Sequence, residues 1–213
     1  MGIDRIVVAT LPGSSSRLLA RGRNPEPLSA LTALDESVRE TTIAGVARAV
    51  EQKTVSDTVH RGARVIARPY STPQGIVTAV SVWSGAPDEQ PPSELPTGAW
   101  VWDIDRGTCL ASPEIHRVYR MPSEDSVVEI SRAQSMYGVT AAAEEQEAAL
   151  QAAFAGEPGF ELTHEWKIER YDGRLRRMVW AARMTSDSDG HRWLHGITVD
   201  LTEGDGRSLL TSI

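Results

Sequence analysis

The chain has 213 residues, 40% of them hydrophobic, which is enough to bury one or two modest cores. A formal net charge of -7 and a pI near 5.3 argue against a nucleic-acid scaffold, which would show a basic face. The single cysteine, Cys109, excludes an intramolecular disulfide and any cysteine-based metal cluster. The N-terminal apolar run Ile6 to Leu11 is too short for a signal-peptide core or a membrane span, and position six carries no Ser or Thr for myristoylation. The expectation is therefore a cytoplasmic protein without membrane insertion.

In chain order, Ile3 to Leu11 and Arg17 to Ala20 read as strands separated by Pro12-Gly13-Ser14. A helix from about Asp35 to Gln52 carries Val38, Val46 and Val50 on one stripe. Val59 to Arg68 and Ile76 to Trp83 read as strands flanking the turn Pro69 to Gly75. Strand, strand, helix, strand, strand describes a small α+β unit over residues 1–83. Residues 84–97 hold four prolines and three acids and offer almost nothing to bury, which predicts a stiff linker and a domain boundary.

Beyond it, residues 98–104 and Thr108 to Ala111 read as short strands around a Gly107 turn, and Ser112-Pro113-Glu114 opens a helix with Ser112 as N-cap. Val139 to Gly156 shows helical spacing, with Val139, Ala143, Leu150, Ala153 and Phe154 on one side and Glu144, Glu145 and Glu147 facing out. Phe160 to Glu169 alternates with period two, and turns at Asp172-Gly173 and Asp189-Gly190 lead into strands Leu175 to Thr185 and Trp193 to Leu201. Parity sets the first hairpin. A two-residue turn buries Arg177 and Arg183, whereas a three-residue turn opposes Trp166 to Met178, His164 to Trp180 and Leu162 to Ala182 on an apolar face. Burial selects the latter. Residues 98–203 thus form a second α+β unit, followed by a tail at 204–213.

The run from Gly98 to Ile104, Ser112-Pro-Glu, His164-Glu-Trp-Lys-Ile, Tyr171-Asp-Gly-Arg, His195-Gly-Ile-Thr and Asp200-Leu-Thr-Glu together resemble a PAS domain of bacterial sensors. The resemblance covers residues 98–203, roughly half the chain. It implies a five-stranded antiparallel sheet with helices on one face, cupping a small cavity, used for sensing or protein–protein contact. Asp200, Leu201 and Thr202 resemble the motif through which such strands pass into an output helix. The first unit is similar to a smaller PAS-like or GAF-like module. Taken whole, the chain resembles an actinobacterial family of tandem PAS and GAF sensors without an attached enzyme.

The candidate cavity residues are His164, Trp166, Met178, Trp180, Trp102, Leu150 and Phe154. His164 reads either as a hydrogen-bonded core histidine or as a polar anchor for a ligand in an aromatic pocket. The tryptophans, Trp100 and Trp193 included, read mainly as core. His191 and His195 share the spacing of helical zinc ligands, but on a strand they lie about 13 Å apart, too far for one metal. The resemblance also bears on cofactors. Flavin photosensors of this class carry Asn-Cys-Arg before the long helix, whereas Cys109 sits on an early strand. Haem-binding members offer a histidine on or near that helix, whereas 140–156 has none. Both observations argue against flavin and haem and leave a small organic ligand or none. The outer sheet face, with Val179, Ala181, Arg177 and Glu165, is the candidate interface for an unidentified partner or a homodimer. Only ten residues follow Glu203, so output is expected through another chain. The leading expectation is a non-enzymatic sensor or adaptor. The alternatives are a structural dimerisation module with a self-filled cavity, and a small-molecule or redox enzyme.

Overall fold

A computed structural model of the chain describes residues 5–120, 127–129, 139–140, 143–169 and 174–202; the side chains of 27, 127–129, 139–140, 143–146 and 150 fall outside that description. The chain builds two separate, wholly antiparallel sheets with few helices. In the first unit, β1 (Ile6–Ala9), β2 (Arg17–Arg21) and β3 (Asn24–Ala30) precede a 3-10 turn and helix α1 (Glu36–Gln52). Then follow β4 (Ser56–His60), β5 (Ala63–Ser71) and β6 (Val77–Gly85). The sheet order is β3-β2-β1-β6-β5-β4, so the strands that sequence patterning missed, β3 and β4, are its two edges. Helix α1 ends where Lys53 turns left-handed at φ 54° and its N–H bonds the Ala49 carbonyl.

The second unit contains β7 (Thr97–Asp103), β8 (Thr108–Ala111), α2 (Pro113–Tyr119), β9 (Val127–Glu129), β10 (Val139–Thr140), α3 (Ala143–Ala155), β11 (Glu161–Glu169), β12 (Leu175–Ser186) and β13 (Arg192–Asp200). Its order is β10-β11-β12-β13-β7-β8-β9, so two short edge strands extend the expected five. One of these corrects the expected long helix. Val139 and Thr140 pair with Glu169 and Ile168 as a strand, and α3 starts only at Ala143. The β11–β12 register pairs Leu162 with Ala182, His164 with Trp180 and Trp166 with Met178, the pairing that burial demands. The turn residues 170–173 lie outside the described residues. Ser112 does not cap α2 with its side chain; its hydroxyl accepts the Ala99 N–H at 3.2 Å instead.

Three apolar clusters stack into four layers. Val8, Leu18, Val46, Ala49, Val65 and Val82 pack α1 on one face of the first sheet. Trp100, Trp102, Ile115, Tyr119, Ala153, Met178 and Trp180 pack α2 and α3 on one face of the second. Between the sheets, Val7, Ala9, Leu19 and Ala79 meet Ala99, Val179, Ala181, Ile197 and Val199. Strands β6, β7 and β13 are consequently buried on both faces, as the middle of a stacked pair of sheets must be. The segment between β6 and β7 is tied down rather than free. Leu95 is buried in the inter-sheet cluster, Arg5 Nε donates to the Pro92 carbonyl at 2.9 Å, and Arg68 Nε donates to Glu94 at 2.8 Å.

Candidate functional site

The second sheet's helix-side face carries a chain of aromatic rings, built because alternate residues of neighbouring strands point the same way. From β11 inward, His164 lies 4.9 Å from Trp166 and Trp166 5.2 Å from Trp180, centroid to centroid. Trp180 lies 5.8 Å from Trp100, Trp100 lies 5.0 Å from Trp102, and Trp102 stacks at 5.4 Å on Phe154 of α3. A side chain at position 196 would destroy this arrangement, because a Cβ there would come within 2.1 Å of the Trp100 ring. Thr198, two residues along the same strand, completes the seat: its hydroxyl accepts the Trp100 indole N–H at 3.1 Å. Gly98 serves the cup similarly, since a Cβ there would come within 2.5 Å of the Ile115 backbone and push α2 off the sheet.

Phe154 is held in place from the sheet. Arg192 Nη1 donates to the Phe154 carbonyl at 3.4 Å, while its Nη2 reaches Asp105 at 3.0 Å. Hydrogen bonds from the Arg192 backbone and guanidinium hold the Asp105 carboxyl below the usual carboxylate range. The buried Asp103 accepts the Arg106 N–H at 2.9 Å and lies 2.6 Å from His191 Nε2.

Of the cavity candidates, Met178, Trp180 and Trp102 are buried in the cluster, and Trp166 and Phe154 pack against it half-buried. His164 is not the core histidine of one expectation: it is half-exposed at the cup's rim, with its ring tilted against Trp166. The side chain of Leu150 lies outside the described residues. Sequence reasoning missed His116 on α2, buried with neither ring nitrogen hydrogen-bonded among the described residues, and Tyr119, whose hydroxyl burial pushes well above its ordinary pKa. The indole N–H groups of Trp102, Trp166 and Trp180 are buried and have no acceptor among the described residues. Only the spacing of His116 and Tyr119, one turn apart on an otherwise apolar helix face, hinted at that part of the cup.

The opposite face of the sheet corrects the expected interface. Val179 and Ala181 are 1% and 0% exposed, because the first sheet covers them. Arg177 and Glu165 form an ion pair towards one end of that face, partly open to solvent. At its other end the Glu161 carboxyl sits below its usual range. Burial opposes its ionisation, but a hydrogen bond from Ser14 of the first unit and the ion pair with Arg183 outweigh it. Leu201 of the Asp200-Leu201-Thr202 motif is buried between the sheets. Asp200 Oδ1 accepts the Thr202 N–H at 2.9 Å, Thr202 Oγ1 accepts the Arg177 N–H at 2.8 Å, and Arg23 of the first unit donates to the Thr202 carbonyl. The motif is therefore clasped by both units.

A cleft of about 240 Å³ opens where β5, the segment before β7 and α2 meet. Its charged lining includes the Arg68–Glu94 pair, and burial, reinforced by Glu94, raises the Tyr70 hydroxyl to about 12. Among the described residues no cluster of three metal-binding side chains occurs, and no helix is long and apolar enough to cross a membrane.

Comparisons with known proteins extend this picture. Residues 4–93 match the family model described as Rv3651-like, N-terminal. No curated protein sequence matches the chain. Among solved structures, an uncharacterised protein from Mycobacterium tuberculosis aligns over 97% of this chain and 66% of its own at a TM-score of 0.79 and 20% identity. This chain thus spans just under two thirds of that protein's length. A sensory box histidine kinase/response regulator from Burkholderia thailandensis E264 aligns over 50% of this chain and 78% of its own, at 18% identity and a TM-score of 0.37. The N-terminal domain of a diguanylate cyclase with PAS/PAC sensor from Marinobacter aquaeolei aligns over 49% and 94%, at 12% identity and a TM-score of 0.40. The first unit is thus similar to the Rv3651-like N-terminal family, and the whole chain shares its fold with the Mycobacterium tuberculosis protein.

Proposed function

We propose that this chain is a non-enzymatic cytoplasmic sensor or adaptor whose PAS-like second unit receives a small molecule or a partner and reports it through protein contact. One observation carries the reading: the strands that bear the aromatic cup on one face bear the contact with the first unit on the other. A change in how Trp180 packs moves a backbone whose neighbours, Val179 and Ala181, touch the first sheet. The Asp200-Leu201-Thr202 motif, clasped between the units, lies at the exit of the same sheet.

The alternative, a structural module with a self-filled cup, is favoured by the near-complete burial of Trp102, Met178 and Trp180. Native mass spectrometry of the gently purified chain separates the two. The sensor reading expects a noncovalent small-molecule adduct or a bound partner chain that is lost when Trp180 is replaced by alanine. A bare chain with neither supports the self-filled module.

A further inference from the structure

The cup's polar groups indicate what it would hold. Trp166 on β11, Trp180 on β12 and Trp102 on β7 line one face of the sheet, and each keeps an indole N–H buried without an acceptor among the described residues. Trp100, in the same ring chain, shows the contrast: its N–H is satisfied within the protein by Thr198. Buried donors are ordinarily paired, since leaving one unmade forfeits the hydrogen bond it made to water. Three in one apolar cluster form a set of donors that no described residue satisfies.

We propose that the cup binds an uncharged, planar ring compound bearing carbonyl oxygens, such as a quinone or aryl ketone, with the Trp102, Trp166 and Trp180 indoles as donors. This rests on the sensor reading above and names its ligand class. Planarity follows from the aromatic wall itself: the Trp166, Trp180, Trp100 and Trp102 rings follow one another with centroids 5.0 to 5.8 Å apart in tilted contact, a surface against which a flat ring can lie. Acceptor character follows from the indoles, which can only donate. Neutrality follows from the charges nearby. Among the described residues, the buried arginine on this side of β12, Arg176, lies 3.8 Å from the Asp200 carboxylate and His116 is the titratable ring buried at the cup, so an anionic ligand would lose its hydration without an uncommitted permanent counter-charge.

The test uses duroquinone and durene, which share a planar six-membered carbon ring with four methyl groups at matching positions; duroquinone's quinoid ring carries two carbonyl oxygens where durene's aromatic ring carries two hydrogens. Calorimetric titration of the full chain is expected to show duroquinone binding at least tenfold more tightly than durene. Trp180→benzothienylalanine, which keeps the ring shape and removes the N–H, is expected to weaken duroquinone binding severalfold and leave durene unchanged. Equal binding of the two compounds would overturn the donor assignment while leaving the cup a ligand site. Binding of neither would overturn the proposal, and the native mass measurement would then decide whether the sensor reading survives.

Discussion

His195 gives the sharpest prediction about stability. It lies on β13 opposite Arg183 and Val101, is 5% exposed, and places Nε2 3.1 Å from the Thr185 hydroxyl. Burial lowers its pKa from 6.5 to about 4, so the folded chain holds it neutral. The unfolded chain protonates it near 6.5, so between pH 6.5 and 4 the unfolded state binds more protons and stability falls as pH drops. At about 1.4 kcal/mol per unit, the full shift is worth about 3 kcal/mol, of which about 2 kcal/mol is lost between pH 7 and 5. Urea unfolding of the wild type and of His195→Gln, repeated at intervals between those pH values, isolates this contribution from the carboxylates common to both. The difference between the two stabilities should fall by about 2 kcal/mol on going from pH 7 to 5. A flat difference would refute the claim that the fold buries a neutral histidine there.

Other substitutions separate the two faces of the second sheet. Val179→Glu should cost about 3 kcal/mol or more in urea unfolding, because it places a carboxylate between the sheets, whereas Glu165→Ala should change stability by less than about 0.5 kcal/mol. Gly196→Val should destabilise by about 2 kcal/mol or more and alter the near-ultraviolet circular dichroism, since a Cβ at this position displaces Trp100. Thr202→Val, which removes the acceptor for the Arg177 N–H, should cost about 1 kcal/mol and speed hydrogen exchange at that amide; an unchanged exchange rate would show that the clasp is not formed in solution.

How much of this was legible depended on where solvent lies. β11 could be read because Glu165 and Lys167 remain exposed, so its alternation survives and fixes the β12 register. The tandem Asp-Gly turns marked the meander for the same reason. β6, β7 and β13 are covered on both faces, so their apolar runs gave no face assignment. Val179 and Ala181, with Ile197 and Val199 beside them, were the trace of that second covering; taken alone they looked like a mixed interface. The first unit's edges were hidden by composition. β3 contains Pro25 and Pro27, tolerated only because it is an edge, and β4 is the polar run Ser56–His60. In the cup, the tryptophans were visible as residues, but Gly196 and Thr198, which seat Trp100, draw their meaning from a strand three-dimensionally adjacent and nearly a hundred positions away in sequence.

The sheet bearing the cup gives its other face to the first unit, and cysteine labelling in a Cys109→Ser background reads that covering out. The Val179→Cys variant should react with a maleimide at least about a thousandfold more slowly than the Glu165→Cys variant, since the covered site becomes accessible only when the packed sheets open. Comparable rates at the two sites would show that face open to solvent and contradict the account.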